Sequence, residues 1–334
     1  MASLHHHHHL PSTHQHLRWS SAIAPALRVS SGDEITLDLP DGGGNQITRE
    51  NAAANTAFET FEFAKSDPVV GPVFVEEAEV GDVLRVDILD VTPAADFGWS
   101  AVFRGFGILH GDAEFAEGEQ ALKIWDLQTA AQDGYLVFKP SSPRILIPYA
   151  PFLGVVGLAP SPGAADQPTI PPMPETGGNI DTRYVTAGSS LFLPVRARGA
   201  LLSCGDAHAA QGDGEICGTA VEMRATARLR VAVQKGASWV KSPWVLTAPA
   251  RKTETLGGEE RDYMCLGIDS DLTEATRKAV RGIIDWLEAD KGLTRVEAYM
   301  LASVAGNLKM CEVVDMPNYA IGCSIPLSIF VPEE

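Results

Sequence analysis

Apolar and polar residues alternate with period two over much of the first third of the chain, the signature of half-buried β-strands. "ALRVSSGDEITLDLPDGGGNQ" reads as two short strands around the turn Ser31-Gly32-Asp33, followed by a glycine-rich turn at 42–44. "GPVFVEEAEVGDVLRVDILDVTP" repeats the device, with a turn at Gly81-Asp82 and a strand carrying Leu84, Val86 and Ile88 on one face. Residues 140–180 are rich in Pro and Gly and predict a long ordered loop or linker. "SLFLPVRARGALLSCGDA" and "EICGTAVEMRATARLRVAVQKG" then predict strand pairs.

Near the C-terminus the period changes to that of a helix. Ala275, Ala279, Ile283, Trp286 and Leu287 share one face, with Asp271 or Thr273 as N-cap and Gly292 as stop. "TRVEAYMLASVAGNLKM" predicts a second helix, and "CSIPLSIFV" a closing strand. Many strands and two late helices make an α+β, predominantly β fold. The chain divides into a His-rich tail (1–16), a β-rich part (17–150), and a second β-rich part (151–334) with the helices, the two parts forming one compact unit.

Composition narrows the function. A net charge of −17 argues against a nucleic-acid partner, which needs clustered Lys and Arg. No apolar run approaches a membrane span, and the N-terminus lacks the pattern of a secretory signal. Five cysteines without CxxC spacing fit free thiols in a reducing compartment, and cytoplasmic is the expectation.

Candidate chemistry concentrates in "LLSCGDAHAAQGDGEICGTAVEM". In a strand Asp206 and His208 face the same side, and the same parity relates Asp213 and Glu215. A loop folding back would converge these donors, a His-plus-carboxylate set suiting Zn²⁺, or Mn²⁺ and Fe²⁺, and carboxylates alone suiting Ca²⁺; otherwise they form a solvated hairpin tip. Only His110 and His208 lie in the body of the chain, and His110 reads as an exposed turn residue. In "ETGGNIDTRY", Gly177 and Gly178 allow close backbone approach, and Asn179 and Asp181 share parity. Cys204 and Cys217 flank the acidic segment, so a thiolate nucleophile partnered by His208 is an alternative. Neither the G-x-S-x-G elbow nor a phosphate-cradling motif occurs.

"GGNIDTRYVTAGSSLFLPVRARGALLSCGDAHAAQGDGEICGTAVE" closely resembles the acetamidase/formamidase family, as do "LPSTHQHLRWSSAIAPALRVSSGDEI", "DPVVGPVFVEEAEVGDVLRVDI", "FGWSAVFRGFG" and "PYAPFLGVVGLAP". The likeness runs from about Leu10 to the last strand. It implies hydrolysis of short aliphatic amides to carboxylate and ammonia, jelly-roll-like β-sandwich or barrel parts, a metal-assisted site with zinc foremost and calcium or manganese as alternatives, and a homo-oligomer. The positions it points to are Asp181, Asp206, His208, Asp213 and His16 as metal ligands, Glu215, Asn179 and Gln211 as catalytic residues, and Trp19 and Gly178 at the substrate. Departures such as "HGDAEF" leave room for a larger amide, a carbamate or a lactam. The rivals are a metal-free cysteine amidase and a non-enzymatic ligand-binding β-sandwich.

Overall fold

The computed structural model describes residues 6–118, 120–141, 144–249 and 261–330; residues 1–5 of the expected tail lie outside them. Two nine-stranded sheets dominate. In the first the order is His7–Leu10, Glu34–Leu39, Ala225–Gln234, Val83–Pro93, Ser190–Pro194, Trp244–Leu246, Asp262–Asp269, Tyr319–Pro326 and Asn307–Glu312. In the second, Gly177–Asn179, Phe152–Leu158, Leu202–His208, Glu222–Met223, Phe97–Val102 and Ala121–Asp126 follow one another. Val69–Val75 also pairs with Leu202–His208 and carries Gln15–His16 and Leu27–Val29 on its other side. Strands from before and after residue 150 thus lie side by side in both sheets, Val83–Pro93 beside Ser190–Pro194 in the first and Val69–Val75 beside Leu202–His208 in the second.

One hydrophobic core draws on both sheets, Ile35, Leu37, Val86 and Ile88 from the first meeting Val73, Leu153, Val156 and Leu202 from the second. The strands expected in the first third are present as Leu27–Val29 and Glu34–Leu39, and as Val69–Val75 and Val83–Pro93, but neither pair closes a hairpin: Leu27–Val29 runs parallel to Val69–Val75 in the second sheet, while Glu34–Leu39 and Val83–Pro93 belong to the first. The Leu272–Lys291 helix begins at Asp271, whose side chain accepts from Glu274 N, and ends at Gly292 in the left-handed conformation. Its apolar face packs on the first sheet through Ala279, Ile283 and Trp286. The approach is close because Gly267 and Gly282 have no side chain; a Cβ on Gly267 would meet the helix backbone at Ala275. The second helix spans Arg295–Ala305, and the "NLKM" read as its end starts the edge strand Asn307–Glu312.

The Pro-rich middle is not a plain loop. Phe152–Leu158 is a fully buried strand pairing with Leu202–His208 and Gly177–Asn179. Its prolines, Pro148, Pro151 and Pro160, bracket the run "FLGVVGL" without interrupting it, so every ladder donor is kept. Among the described residues no helix is long and apolar enough to cross a membrane.

Candidate active site

The Leu202–His208 strand supplies Asp206 and His208, whose side chains meet although Asp206, at φ 48°, leaves the regular strand conformation. His208 Nε2 lies 3.0 Å from Asp206 Oδ2 and 3.2 Å from Glu222 Oε2. Glu222 arrives through strand register, being paired directly with His208. Asp181 follows the Gly177–Asn179 strand, and Glu215 comes from the turn beyond Gly212. Three overlapping donor sets result, each with its ligand atoms within 4.8 Å of one another: Asp181, Asp206 and His208; His208, Glu215 and Glu222; Asp181, Glu215 and Asp315.

Two glycines make room for these carboxylates. A Cβ on Gly154 would run into Asp181 Oδ1 and come within 2.6 Å of Asp206 Oδ2. One on Gly42 would collide with Asp206 Oδ1 and sit 2.7 Å from Glu222 Oε2. The backbone is bent to the same end. Of eight non-glycine residues with positive φ among the described residues, four are Asp67, Asp181, Asp206 and Glu215. Such conformations cost on the order of 1–3 kcal/mol each and concentrate where function requires them.

Orientation of the histidine is fixed by Gln211. The Asp181 carbonyl can only accept, so the Gln211 amide nitrogen faces it at 2.7 Å. Gln211 Oε1 then accepts from His208 Nδ1–H at 2.9 Å, leaving Nε2 turned to the carboxylates. Asn179 is similarly committed: its Nδ2 donates to Ile170 O at 2.9 Å and Asp315 Oδ2 at 2.7 Å. Among the described residues its buried Oδ1 and both oxygens of Asp181 have no hydrogen-bond partner, and His208 Nε2 meets only the two carboxylates beside it, neither in hydrogen-bonding geometry.

Electrostatics follow from burial and crowding. Burial, then neighbouring carboxylates such as Asp206, Asp181 and Glu312, push Asp67, Asp181, Glu215 and Asp315 well above the usual carboxylate range. Glu222 rises to about 7 for the same first reason, although His208 opposes it. Burial would also raise Asp206, but His208 more than offsets it and holds that carboxyl low. His208 itself, despite burial, is raised well above its ordinary value by Asp206 and Glu222. One imidazole faces five buried carboxyl groups and the half-buried Asp67, and among the described residues no Lys or Arg lines the pocket. An arrangement so short of positive charge is suited to cations.

Several expected positions lie elsewhere. Asp213 is exposed, accepting from Tyr184 OH at 3.1 Å and pairing with Arg183; strand parity does not carry it to Glu215, because Gly214 and Glu215 form a left-handed turn and not a strand. His16 is outside the donor sets, its ring nitrogens 2.9 Å from Arg18 O and 2.9 Å from Ser203 Oγ. Trp19 is a buried core residue with Val69, Val155 and Met173, and Gly178 packs beneath its indole; both stand behind the pocket wall. His110 is exposed in a turn, as expected. Cys204 is fully buried in the core, where burial pushes its thiol up and away from the thiolate.

Sequence reasoning missed Asp67, Glu222 and Asp315. Glu222 was within reach, since its parity in the strand after the motif places it opposite His208. Asp67 and Asp315 sit in irregular segments far along the chain and carry no spacing signal.

The family model for the acetamidase/formamidase family matches residues 3–168 and 163–331. A formamidase of Methylophilus methylotrophus is 27% identical, over 94% of this chain and 89% of that protein. An acetamidase of Mycolicibacterium smegmatis is 28% identical, over 86% of this chain and 84% of its own. Among solved structures, a predicted acetamidase/formamidase from Thermoanaerobacter tengcongensis superposes with a TM-score of 0.83 at 30% identity, covering 97% of each chain.

Proposed function

The chain belongs to the acetamidase/formamidase family and is a hydrolase of carbon–nitrogen bonds other than peptide bonds; from that premise we propose that it cleaves uncharged primary amides, of which formamide and acetamide are the simplest, to carboxylate and ammonia. The observation that carries this reading is the convergence of Asp181, Asp206, His208 and Glu215 on one buried pocket.

A divalent metal fits the residues present. Orphaned oxygens on Asp181, the inward-facing Nε2 of His208 and the adjacent Asp206 form a nitrogen-and-oxygen donor set of the kind zinc accepts, with manganese and calcium as oxygen-tolerant alternatives. When bound, such an ion supplies Lewis acidity to the amide carbonyl. Gln211 fixes the imidazole tautomer that makes Nε2 available. Glu215, whose carboxyl shares a donor set with His208 and Glu222, in its ionised form takes the proton of the attacking water and returns it to nitrogen. The acyl C–N bond breaks, a C–O bond to water forms, and nitrogen leaves as ammonia. Asn179 has no free N–H for an oxyanion, so its role differs from a donor's: its orphan Oδ1 accepts an N–H of the primary amide.

Ammonia release from an amide panel tests the function, with Asp206→Asn as control. The account expects turnover by the native protein and a loss of at least about a hundredfold in the variant; no release from any amide would refute it. We also propose a homo-oligomer and a cytoplasmic setting. The first is supported by the edge strand Asn307–Glu312, whose Leu308 and Met310 are exposed, and by the exposed Val296, Tyr299 and Met300 of the second helix, and sedimentation as a monomer would contradict it. The second is supported by five free cysteines, and fractionation of cells would check it.

A further inference from the structure

The pocket has two unlike ends. Its floor is the acidic cluster, whereas its wall toward solvent is built from Phe61, Phe63, Trp99, Phe103 and Phe106. These rings come from three separate segments, residues 57–65, the Phe97–Val102 strand with Phe103, and the turn beyond it. They lock one another in edge-on and tilted contacts, with Phe61–Phe103 centroids at 4.7 Å, Phe63–Phe103 at 5.1 Å, Phe63–Phe106 at 5.6 Å and Phe61–Trp99 at 6.3 Å. Glycines admit them as they admit the acids: a Cβ on Gly43 would stand 2.7 Å from Trp99, and one on Gly218 would collide with Phe106. Phe63 is 45% exposed at the mouth, an apolar cost that the isolated fold does not require.

A formyl or acetyl group cannot use such a wall, because neither is large enough to bury much area against it. The lining also holds no Lys or Arg, so an acyl group bearing a carboxylate finds no partner there and faces the acidic floor. Resting on the amide-hydrolase reading above, we propose that the preferred substrates are primary amides with a bulky, uncharged, apolar acyl group, aryl-bearing above all. The carboxamide lies on the acidic floor and the acyl group lies against the phenylalanines. The rigid wall makes the selection by apolar burial, which is worth roughly 10- to 200-fold per methylene-sized increment at best.

The test is kcat/KM by ammonia release for acetamide, phenylacetamide and the monoamide of succinate, with native enzyme and with Phe63→Ala and Phe106→Ala. The expected result is phenylacetamide favoured over acetamide by at least about tenfold, the succinate monoamide at the bottom, and a tenfold or greater fall in the phenylacetamide-to-acetamide ratio in either variant. Acetamide equal to or better than phenylacetamide in the native enzyme overturns the inference while leaving amide hydrolysis standing, and needs no variant to fold. An unchanged ratio in folded Phe63→Ala and Phe106→Ala also overturns it. Silence on every amide removes the underlying reading as well.

Discussion

Gln211 holds His208 from behind: its Oε1 accepts from Nδ1 at 2.9 Å while its amide nitrogen donates to the Asp181 carbonyl at 2.7 Å. One side chain therefore ties the imidazole to the backbone of a neighbouring carboxylate. Gln211→Leu removes both bonds and frees the ring to flip. Divalent-metal affinity and kcat are expected to fall by about 10- to 100-fold, as for other groups that orient a metal-binding histidine. Equilibrium metal titration of native and variant protein checks this, and an unchanged affinity would count against the positioning role.

Gly154 is expected to tolerate no side chain. Gly154→Ala would force apart Asp181 and Asp206, whose oxygens occupy the space a Cβ needs. Activity should drop by at least about a hundredfold, since misplacement of about 1 Å at reacting groups has effects of that size. Circular dichroism alongside the assay separates a displaced site from an unfolded chain.

Asp41 predicts a pH dependence of stability. Burial raises its carboxyl from the ordinary range to about 6. The folded chain then holds this proton more tightly than the unfolded chain, so the group's contribution is present at low pH and is lost as pH rises toward and through about 6. Asn at this position keeps the acceptor for Asn45 N, 2.9 Å away, without the charge. Asp41→Asn should therefore raise Tm more at pH 8 than at pH 5; melting curves showing the opposite order would contradict the assignment.

The thiols should prove dispensable. Cys204 is sealed in the core, and Cys217, which adjoins the pocket, is half-buried with its sulfur near Thr219 and Ala101 carbonyls. Alkylation of the native protein is expected to leave most activity, and Cys217→Ser to retain turnover within a few-fold. Abolition by either treatment would favour a cysteine nucleophile.

Legibility from sequence was uneven for physical reasons. The period-2 strands and the capped Leu272–Lys291 helix could be read because local pattern and burial agree there, whereas the pairing of those strands across two sheets, and not as hairpins, is set by long-range topology. Asp206 and His208 could be read because they lie two residues apart in one short segment, although the positive φ of Asp206 departs from a regular strand. Parity misled at Asp213, where Gly212 and Gly214 replace the strand by a turn. The Phe152–Leu158 strand was hidden by prolines that flank it, and with it went Gly154, whose missing side chain opens the site. Asp67 and Asp315 reach the pocket only through long-range topology.

The central claim is that the buried carboxylates around His208 work with a divalent cation to hydrolyse amides. Ammonia release after exhaustive chelation, and again after stoichiometric add-back of zinc, manganese or calcium, addresses it most directly. The account predicts activity lost on stripping and restored by at least one of the ions. Full turnover in protein shown to be free of metal would contradict it.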